Sequence, residues 1–474
     1  MKARITIDPI TRISGFLEID VEIDQNKIVD ARSSGLLFRG FEKMLKGKEP
    51  LDAIYFTERI CGICSTAHSY ASTVALEDAI NINSSEEAHI IRDIIHGTEF
   101  LQNHIRHFYL FIVPDYVKLP EISDLYQSNN VDFRLPDNLS GKIQKNYIAS
   151  LQYGRMSHEA LAVLGGKAPH NHGIFVGGMN GRVNASQLIK LKALLQDIKQ
   201  FVINNMIEDA NIIADYYKDY FTKGASYGNF MSYGLYNSTG EKSLTFVQSG
   251  VLIDKKLNTF DSSKINENIY SSWYEGKPIQ NIPGEKTIDE NSSKEKAYSW
   301  IKAPRYEGYP MEVGPLARMI IGEKYNKGIA AMDRVLARVL ETKIVIEIME
   351  EKIVTLEELL RSKVLSNAVN FDIPISAKGK GLIDTVRGSL GHWINIQDKK
   401  ILNYDIITPS GWNLSPQDGK GVKGVLEKAL IGTTIQDTKN PVEIGRIVRT
   451  FDPCVSCATH VISNNFSPIE IRIL

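Results

Sequence analysis

The sequence has little cysteine, no long apolar run and almost no net charge, and each shortage excludes something. Four cysteines in 474 residues are too few for the disulfide frameworks that staple small secreted domains. No apolar stretch reaches the ~18–20 residues that a membrane-spanning helix needs. A formal net charge of −1 gives no global electrostatic case for nucleic acid or an anionic membrane surface as partner. The stretch Met1 to Asp8 alternates like a strand and lacks the apolar core of a signal peptide. The expected location is therefore cytoplasmic, or exported or membrane-associated only together with a partner that carries the signal. Internal repeats and low-complexity segments are also absent.

What remains is a chain of ordinary globular composition, 43% hydrophobic and 23% charged. Residues 4–13 and 15–24 read as strands, with a turn at Asp24-Gln25-Asn26 before a third. Helical periodicity begins at a cap near Ser84 and Ser85 and runs to Pro114. Further helical patterns cover roughly 140–165, the stretch from Asn184 to near Gly224, and roughly 328–367. Residues ~225–300 and the last ~100 read as short strands and turns. The expected fold class is mixed α and β, a long central helical bundle with β-rich N- and C-terminal segments. No linker divides it, so we read one large domain: 1–83 β-rich, 84–224 helical, 225–300 strands and loops, 301–460 helical and then C-terminal, and 461–474 an extension.

All four cysteines sit in two C-x-x-C pairs, and each pair is followed by a histidine. The first is Arg59-Ile60-Cys61-Gly62-Ile63-Cys64, with His68 beyond it. The second is Asp452-Pro453-Cys454-Val455-Ser456-Cys457, with His460 beyond it. This spacing lets both sulfurs of a pair turn toward one ion, and four thiolates suit zinc, nickel or iron–sulfur chemistry better than calcium or magnesium. A zinc ribbon closes its two pairs over ~15–20 residues, whereas these pairs stand at opposite ends of the chain. Spacing alone leaves a structural zinc site, a catalytic or redox metal, and two unrelated reactive pairs all open.

The flanking residues narrow the choice. Arg-x-Cys-Gly-x-Cys-x-x-x-His near the start and Asp-Pro-Cys-x-x-Cys-x-x-His near the end resemble the two signatures of nickel–iron hydrogenase large subunits. The resemblance runs the length of the chain. It includes "ITIDPITRISG" at 5–15, "FRGFE" at 38–42, "LAVLGGKAPH" at 161–170, "SWIKAPRYEGYPMEVGPLAR" at 299–318, "VRGSLGHW" at 386–393 and "ITPSGWNLSPQD" at 407–418.

The resemblance implies an enzyme that cleaves H2 reversibly and heterolytically into protons and electrons. It implies nickel held by Cys61, Cys64, Cys454 and Cys457, with Cys64 and Cys457 bridging to an iron that carries carbon monoxide and cyanide. Arg387 matches an arginine overhanging the metals, with Asp452 as its natural carboxylate partner, and a purely structural ion pair is the plainer reading of both. Ser410, after Pro409, matches a hydroxyl donor to a cyanide ligand, against the plainer reading of a turn serine. His68 matches a residue that supports a cysteine sulfur, or is a satisfied core histidine. Glu42, His460 and a carbonyl around Ile406 match the ligands of a separate magnesium or iron ion. The implied partners are a small subunit carrying iron–sulfur clusters, maturation proteins, and an endoprotease that removes residues 461–474 directly after His460.

Three departures from the family stand out. Ser14 occupies the place of a proton-accepting glutamate, Val386 that of a proline beside the arginine, and Asn103 that of a carboxylate above it. The metal ligands match the family; the proton route does not. Two other readings follow: a hydrogen-sensing subunit with low turnover, and a non-catalytic relative like the corresponding subunit of respiratory NADH:quinone oxidoreductase. That relative has lost the metal cysteines, and all four stand here.

Overall fold

Alternating apolar residues at the N-terminus build an antiparallel meander of β1 (Ala3–Ile7), β2 (Leu17–Asp24) and β3 (Lys27–Gly35). Gln25 and Asn26 both take positive φ, 49° and 62°, the backbone that a tight two-residue hairpin requires. The register turns Leu17, Ile19, Val21 and Ile23 into the core. Sequence alone carries the first strand on to Ile13, but it ends at Ile7, because Pro9 has no N–H to give a ladder. The structure is a computed structural model describing residues 3–119, 132–237, 245–276, 282–286, 288–362 and 370–458.

Five long helices follow: α1 (Ser65–Ile80), α2 (Glu86–Arg106), α3 (Asp137–Gly165), α4 (Ala185–Phe201) and α5 (Ala331–Arg361). Ser85 caps α2 by accepting from the Ala88 N–H, and Asn184 caps α4 in a reciprocal box with Gln187. The helical path after α2 does not stop at Pro114. A π turn, His107–Ile112, leads into Val113–Tyr116, where the proline sits in the first turn and its missing N–H costs nothing. Helix α2, buried along most of its length, packs against α3 and α5, and α4 packs against α3. This is the expected bundle. Between α4 and α5 lie the expected short strands, among them Phe230–Ser232, Gly250–Ile253 and Lys256–Asn258 in one small sheet.

The C-terminal part is a second antiparallel meander, β4 (Ser376–Thr385), β5 (Gly388–Gln397) and β6 (Lys400–Ile407). The short helices α6 (Pro409–Asn413), α7 (Val442–Thr450) and α8 (Val455–Ala458) follow it. Helix α1 lies directly on β4, and glycine makes that approach possible. A Cβ at Gly381 would stand 1.9 Å from the Ala71 carbonyl oxygen, and one at Gly379 2.2 Å from that of Ala75. The helix that begins at Cys64 is thereby fixed against the hairpin that carries Arg387. The two ends of the chain are stitched together by backbone. The Ser14 N–H donates to the Pro453 carbonyl at 3.1 Å, and the Val455 N–H donates to the Ser14 carbonyl at 2.7 Å. Among the described residues no helix is long and apolar enough to cross a membrane.

Candidate metal centre

This stitching brings the two cysteine pairs together. Cys61 and Cys64 lie on the turn between Arg59 and α1, with Cys64 at the cap position of that helix. Cys454 pairs with Ser14 and Cys457 lies in α8. The Sγ atoms of Cys61 and Cys454 are 3.4 Å apart, those of Cys64 and Cys457 3.2 Å, and those of Cys454 and Cys457 3.0 Å. All four sulfurs lie within 4.8 Å of one another and all four residues are buried. The third opening reading, two unrelated pairs, is excluded by this geometry. Arg39, from the "FRGFE" stretch, donates from Nη2 to the carbonyls of both Ile60 and Ser456 and so ties the two cysteine turns to each other.

The electrostatics inside the cluster are unequal. Hydrogen bonds from Cys457, Cys61 and Cys64, with the charge of Arg387, hold the Cys454 thiol well below its ordinary pKa. Cys64 is pushed up by sharing hydrogen bonds with Cys454 and its neighbours, and Cys457 by burial. Thiolates are the ligand form, so the site favours a thiolate at Cys454 and needs a cation to deprotonate Cys64 and Cys457.

Arg387, on the β4–β5 turn, hangs over the cluster. Its Nε donates to the Asp452 carbonyl at 2.9 Å, and Nη2 donates to Asp452 Oδ1 at 3.1 Å and Asn103 Oδ1 at 2.8 Å. The remaining nitrogen, Nη1, is buried and makes no hydrogen bond. Burial alone would lower the guanidinium's pKa, but Asp452 and the thiols hold it well above its usual value. Asp452 is likewise held far below the carboxylate range, against burial, by Arg387, His107 and Arg338. Asn103 Nδ2 donates to Asp452 Oδ2 at 2.8 Å, so the amide bridges the ion pair from above.

Cys64, Cys454, Cys457 and Arg387 line one small cavity with Ala67, His68, Thr385, Leu390, Pro409 and Ser410. The Ser410 hydroxyl accepts the Cys454 N–H at 3.0 Å, which leaves its own proton to give. His68 is neutral, its pKa lowered by burial to about 4. Its Nδ1 lies 3.1 Å from His392 Nε2, and His392 Nδ1 lies 2.8 Å from the Tyr404 hydroxyl.

Glu42 stands in a different buried pocket, with Glu267, Lys302 and Ile406. It accepts the Ile406 N–H at 3.0 Å and lies 3.3 Å from the Lys302 ammonium, which also meets Glu267 at 3.1 Å. Burial would lower the Lys302 pKa, but Glu267 and Glu42 hold it well above its usual value. Burial pushes Glu267 up to about 6 and Asp405 up to about 8. His460 and the extension 461–474 lie outside the described residues.

Sequence reasoning missed three groups near the cluster: Arg39, Arg338 and Glu99. Arg39 lies inside a quoted motif but carries no spacing signal. Glu99 carries one: it is four residues before Asn103, on the same face of α2.

A sequence profile of the family described as nickel-dependent hydrogenase matches residues 39–128, 122–331 and 323–460. The chain is 35% identical to the periplasmic [NiFeSe] hydrogenase large subunit of Desulfomicrobium baculatum, covering 97% of this chain and 95% of that protein. It is 30% identical to the hydrogenase-1 large chain of Escherichia coli, covering 98% and 96%. The solved structure of the reduced [NiFeSe] hydrogenase of D. vulgaris Hildenborough superposes with a TM-score of 0.92 at 34% identity, over 97% of this chain and 100% of that one.

Proposed function

This chain belongs to the nickel-dependent hydrogenase family, and from that premise we propose how its own residues divide the work. It is a hydrogenase catalytic subunit, cleaving H2 reversibly and heterolytically at a cysteine-bound nickel–iron centre. The residues fit such a pair on the donor chemistry alone: four soft sulfurs converge in a buried cluster. Cys61, Cys64, Cys454 and Cys457 would hold the nickel. Cys64 and Cys457, 3.2 Å apart and both facing the cavity, would share an iron. The uncharged wall of Ala67, Leu390 and Pro409 would face small diatomic ligands such as carbon monoxide and cyanide, and the Ser410 hydroxyl would donate to one of them. Bound there, the metals supply the electron-rich site at which H2 is polarised.

The protein's part is positional and protonic. Arg387, fixed by Asp452 and Asn103 with its Nη1 left unpartnered, lines the cavity and places a permanent positive charge beside the thiolates. Neutral His68 holds the wall beside Cys64 and Cys457. Glu42, a carbonyl at Ile406 and His460 would hold a magnesium or iron ion next to Lys302. The chain works as one catalytic domain.

Iron–sulfur clusters that carry electrons away are bound by cysteine, and all four cysteines here are committed, so the clusters belong to a small-subunit partner. Maturation proteins load the metals, after which an endoprotease removes 461–474 behind His460. The location follows the small subunit. The observation that carries the catalytic reading is the convergence of four buried thiols under a guanidinium that is already charge-paired. Co-purification with the small subunit tests it: nickel, iron and hydrogen-dependent dye reduction are expected, with a chain mass ending at His460. Nickel and iron present without turnover would favour the hydrogen sensor.

A further inference from the structure

Beside the cluster lies a buried carboxyl that the mechanism above does not use. Glu99 projects from α2 one turn before Asn103, on the face turned toward Arg387 and Asp452. It is 3% exposed. Its two oxygens accept the N–H groups of Thr66 at 2.9 Å and Ala67 at 3.1 Å, in the first turn of α1, which begins directly after Cys64. No ion pair to Glu99 occurs among the described residues.

The same helical turn leads outward on its other side. The Asn171 amide donates to Thr66 Oγ1 at 3.5 Å, to Ser69 Oγ at 3.0 Å and to Glu58 Oε1 at 3.5 Å. It gathers two hydroxyls and a second acid around one point. Glu58 is wholly buried and its Oε2 makes no hydrogen bond. The guanidinium of Arg59, whose side chain is half exposed, stands 3.9 Å from that oxygen. Between the helix start behind Cys64 and the surface lie four exchangeable groups, Glu99 with the Thr66 hydroxyl and Glu58 with the Ser69 hydroxyl, and then the water around Arg59.

We propose that Glu99 and Glu58 form the proton route of this hydrogenase, Glu99 taking protons released at the thiolate cluster and Glu58 passing them to solvent. The inference rests on the hydrogenase reading. Each H2 consumed yields two protons and two electrons; the electrons leave through the partner. Each proton forms an O–H bond on a Glu99 oxygen. That O–H bond breaks as the proton moves through the Thr66 and Ser69 hydroxyls to Glu58, which regenerates the Glu99 carboxylate. Two features suit both acids to the task. Burial pushes Glu99 up to about 8 and Glu58 up to about 7, so both exchange near neutrality. Two backbone N–H groups hold Glu99 in place whether or not it is protonated. The charges facing Glu99 are Arg387 on the β4–β5 turn and Arg106 on α2; those facing Glu58 are Arg59 and Lys167. The His170 imidazole also meets the Glu58 backbone.

Glu99→Gln in the metal-loaded two-subunit enzyme is the direct test, because a glutamine oxygen still accepts an amide N–H but holds no proton. Expected are unchanged nickel and iron, turnover lowered about tenfold or more, and loss of a protonated-carboxyl infrared band that shifts in D2O. Glu99→Asp should recover part of the rate. Glu58→Gln, away from the helix start, should slow turnover several-fold and shift its pH profile while leaving the Glu99 band. A Glu99→Gln enzyme with wild-type rate, pH profile and infrared band would overturn the proposal. If Glu99→Gln loses its metals, Glu58→Gln decides: a wild-type rate and pH profile there would overturn it equally. A wild-type complex without hydrogen-dependent dye reduction would instead sink the hydrogenase reading, and the infrared band would still report whether Glu99 exchanges a proton.

Discussion

Two buried polar clusters join the ends of this chain to its middle, and they are neutralised in opposite ways. Around Glu42 the acids Glu267 and Asp405 share one internal cation, Lys302, which touches Glu42 and Glu267 directly. Around the cysteines Arg387 overhangs the sulfurs, and Asp452 already holds it. Among the described residues no lysine or arginine donates a hydrogen bond to the four sulfurs; their contacts are one another and the Ile63 N–H. The carboxylate pocket carries its own counter-charge. The thiol pocket has no such internal lysine among the described residues, so its charge must come wholly from the metals its soft donors select, whereas an ion at Glu42 would add to Lys302.

The sharpest way to break that contrast is to harden one donor. Cys454→Ser should leave the complex with less than a tenth of the wild-type nickel and no measurable hydrogen-dependent dye reduction, read by metal analysis and assay. Removing the other pocket's cation should act on the fold instead. Lys302→Met strips the counter-charge from buried Glu42 and Glu267 and should cost about 3–5 kcal/mol, seen as a lower Tm with the cysteine site still able to bind metal. A smaller effect is expected from Arg387→Lys, which keeps the charge but loses the planar fork. Turnover should fall about ten- to a hundredfold with nickel and iron retained.

Proton linkage sharpens the comparison further. Asp405 is raised by burial to about 8 and Glu267 to about 6, so the folded state holds protons that the unfolded chain has released. Their contribution to stability is full below the ordinary carboxylate range and is lost as pH rises toward 8. Tm should therefore fall between pH 5 and 9, and Asp405→Asn should flatten that slope. The smallest change should come from Ser410→Ala, which removes the acceptor for the Cys454 N–H. A few-fold drop in turnover and about 1 kcal/mol of stability are expected.

Much of this was legible in the sequence because it is written in spacing. The paired cysteines, the caps at Ser85 and Asn184 and the hairpin at Gln25-Asn26 are short-range patterns, and the structure reproduces them. Asp452 beneath Arg387, and Asn103 beside both, were expected from motif positions and lie where the motifs put them. What sequence could not supply was long-range pairing of single residues. Lys302 stands in a quoted motif, yet nothing there says that it neutralises Glu42. Glu99 on α2 and Glu58 at the end of the helix Asp52–Glu58 look like unremarked acids until both helices pack against α1 and place them on either side of one helical turn. The end of β1 at Ile7 and the helical path through Pro114 were misjudged for a local reason: a proline's effect depends on whether it falls mid-element or in a first turn.

X-ray absorption at the nickel edge of the purified two-subunit enzyme addresses the centre most directly. Four sulfur donors around nickel, with one nickel and one iron per chain in the cysteine site, is the expected result. Zinc in a four-sulfur site with no nickel, after full maturation with the partner present, would contradict it.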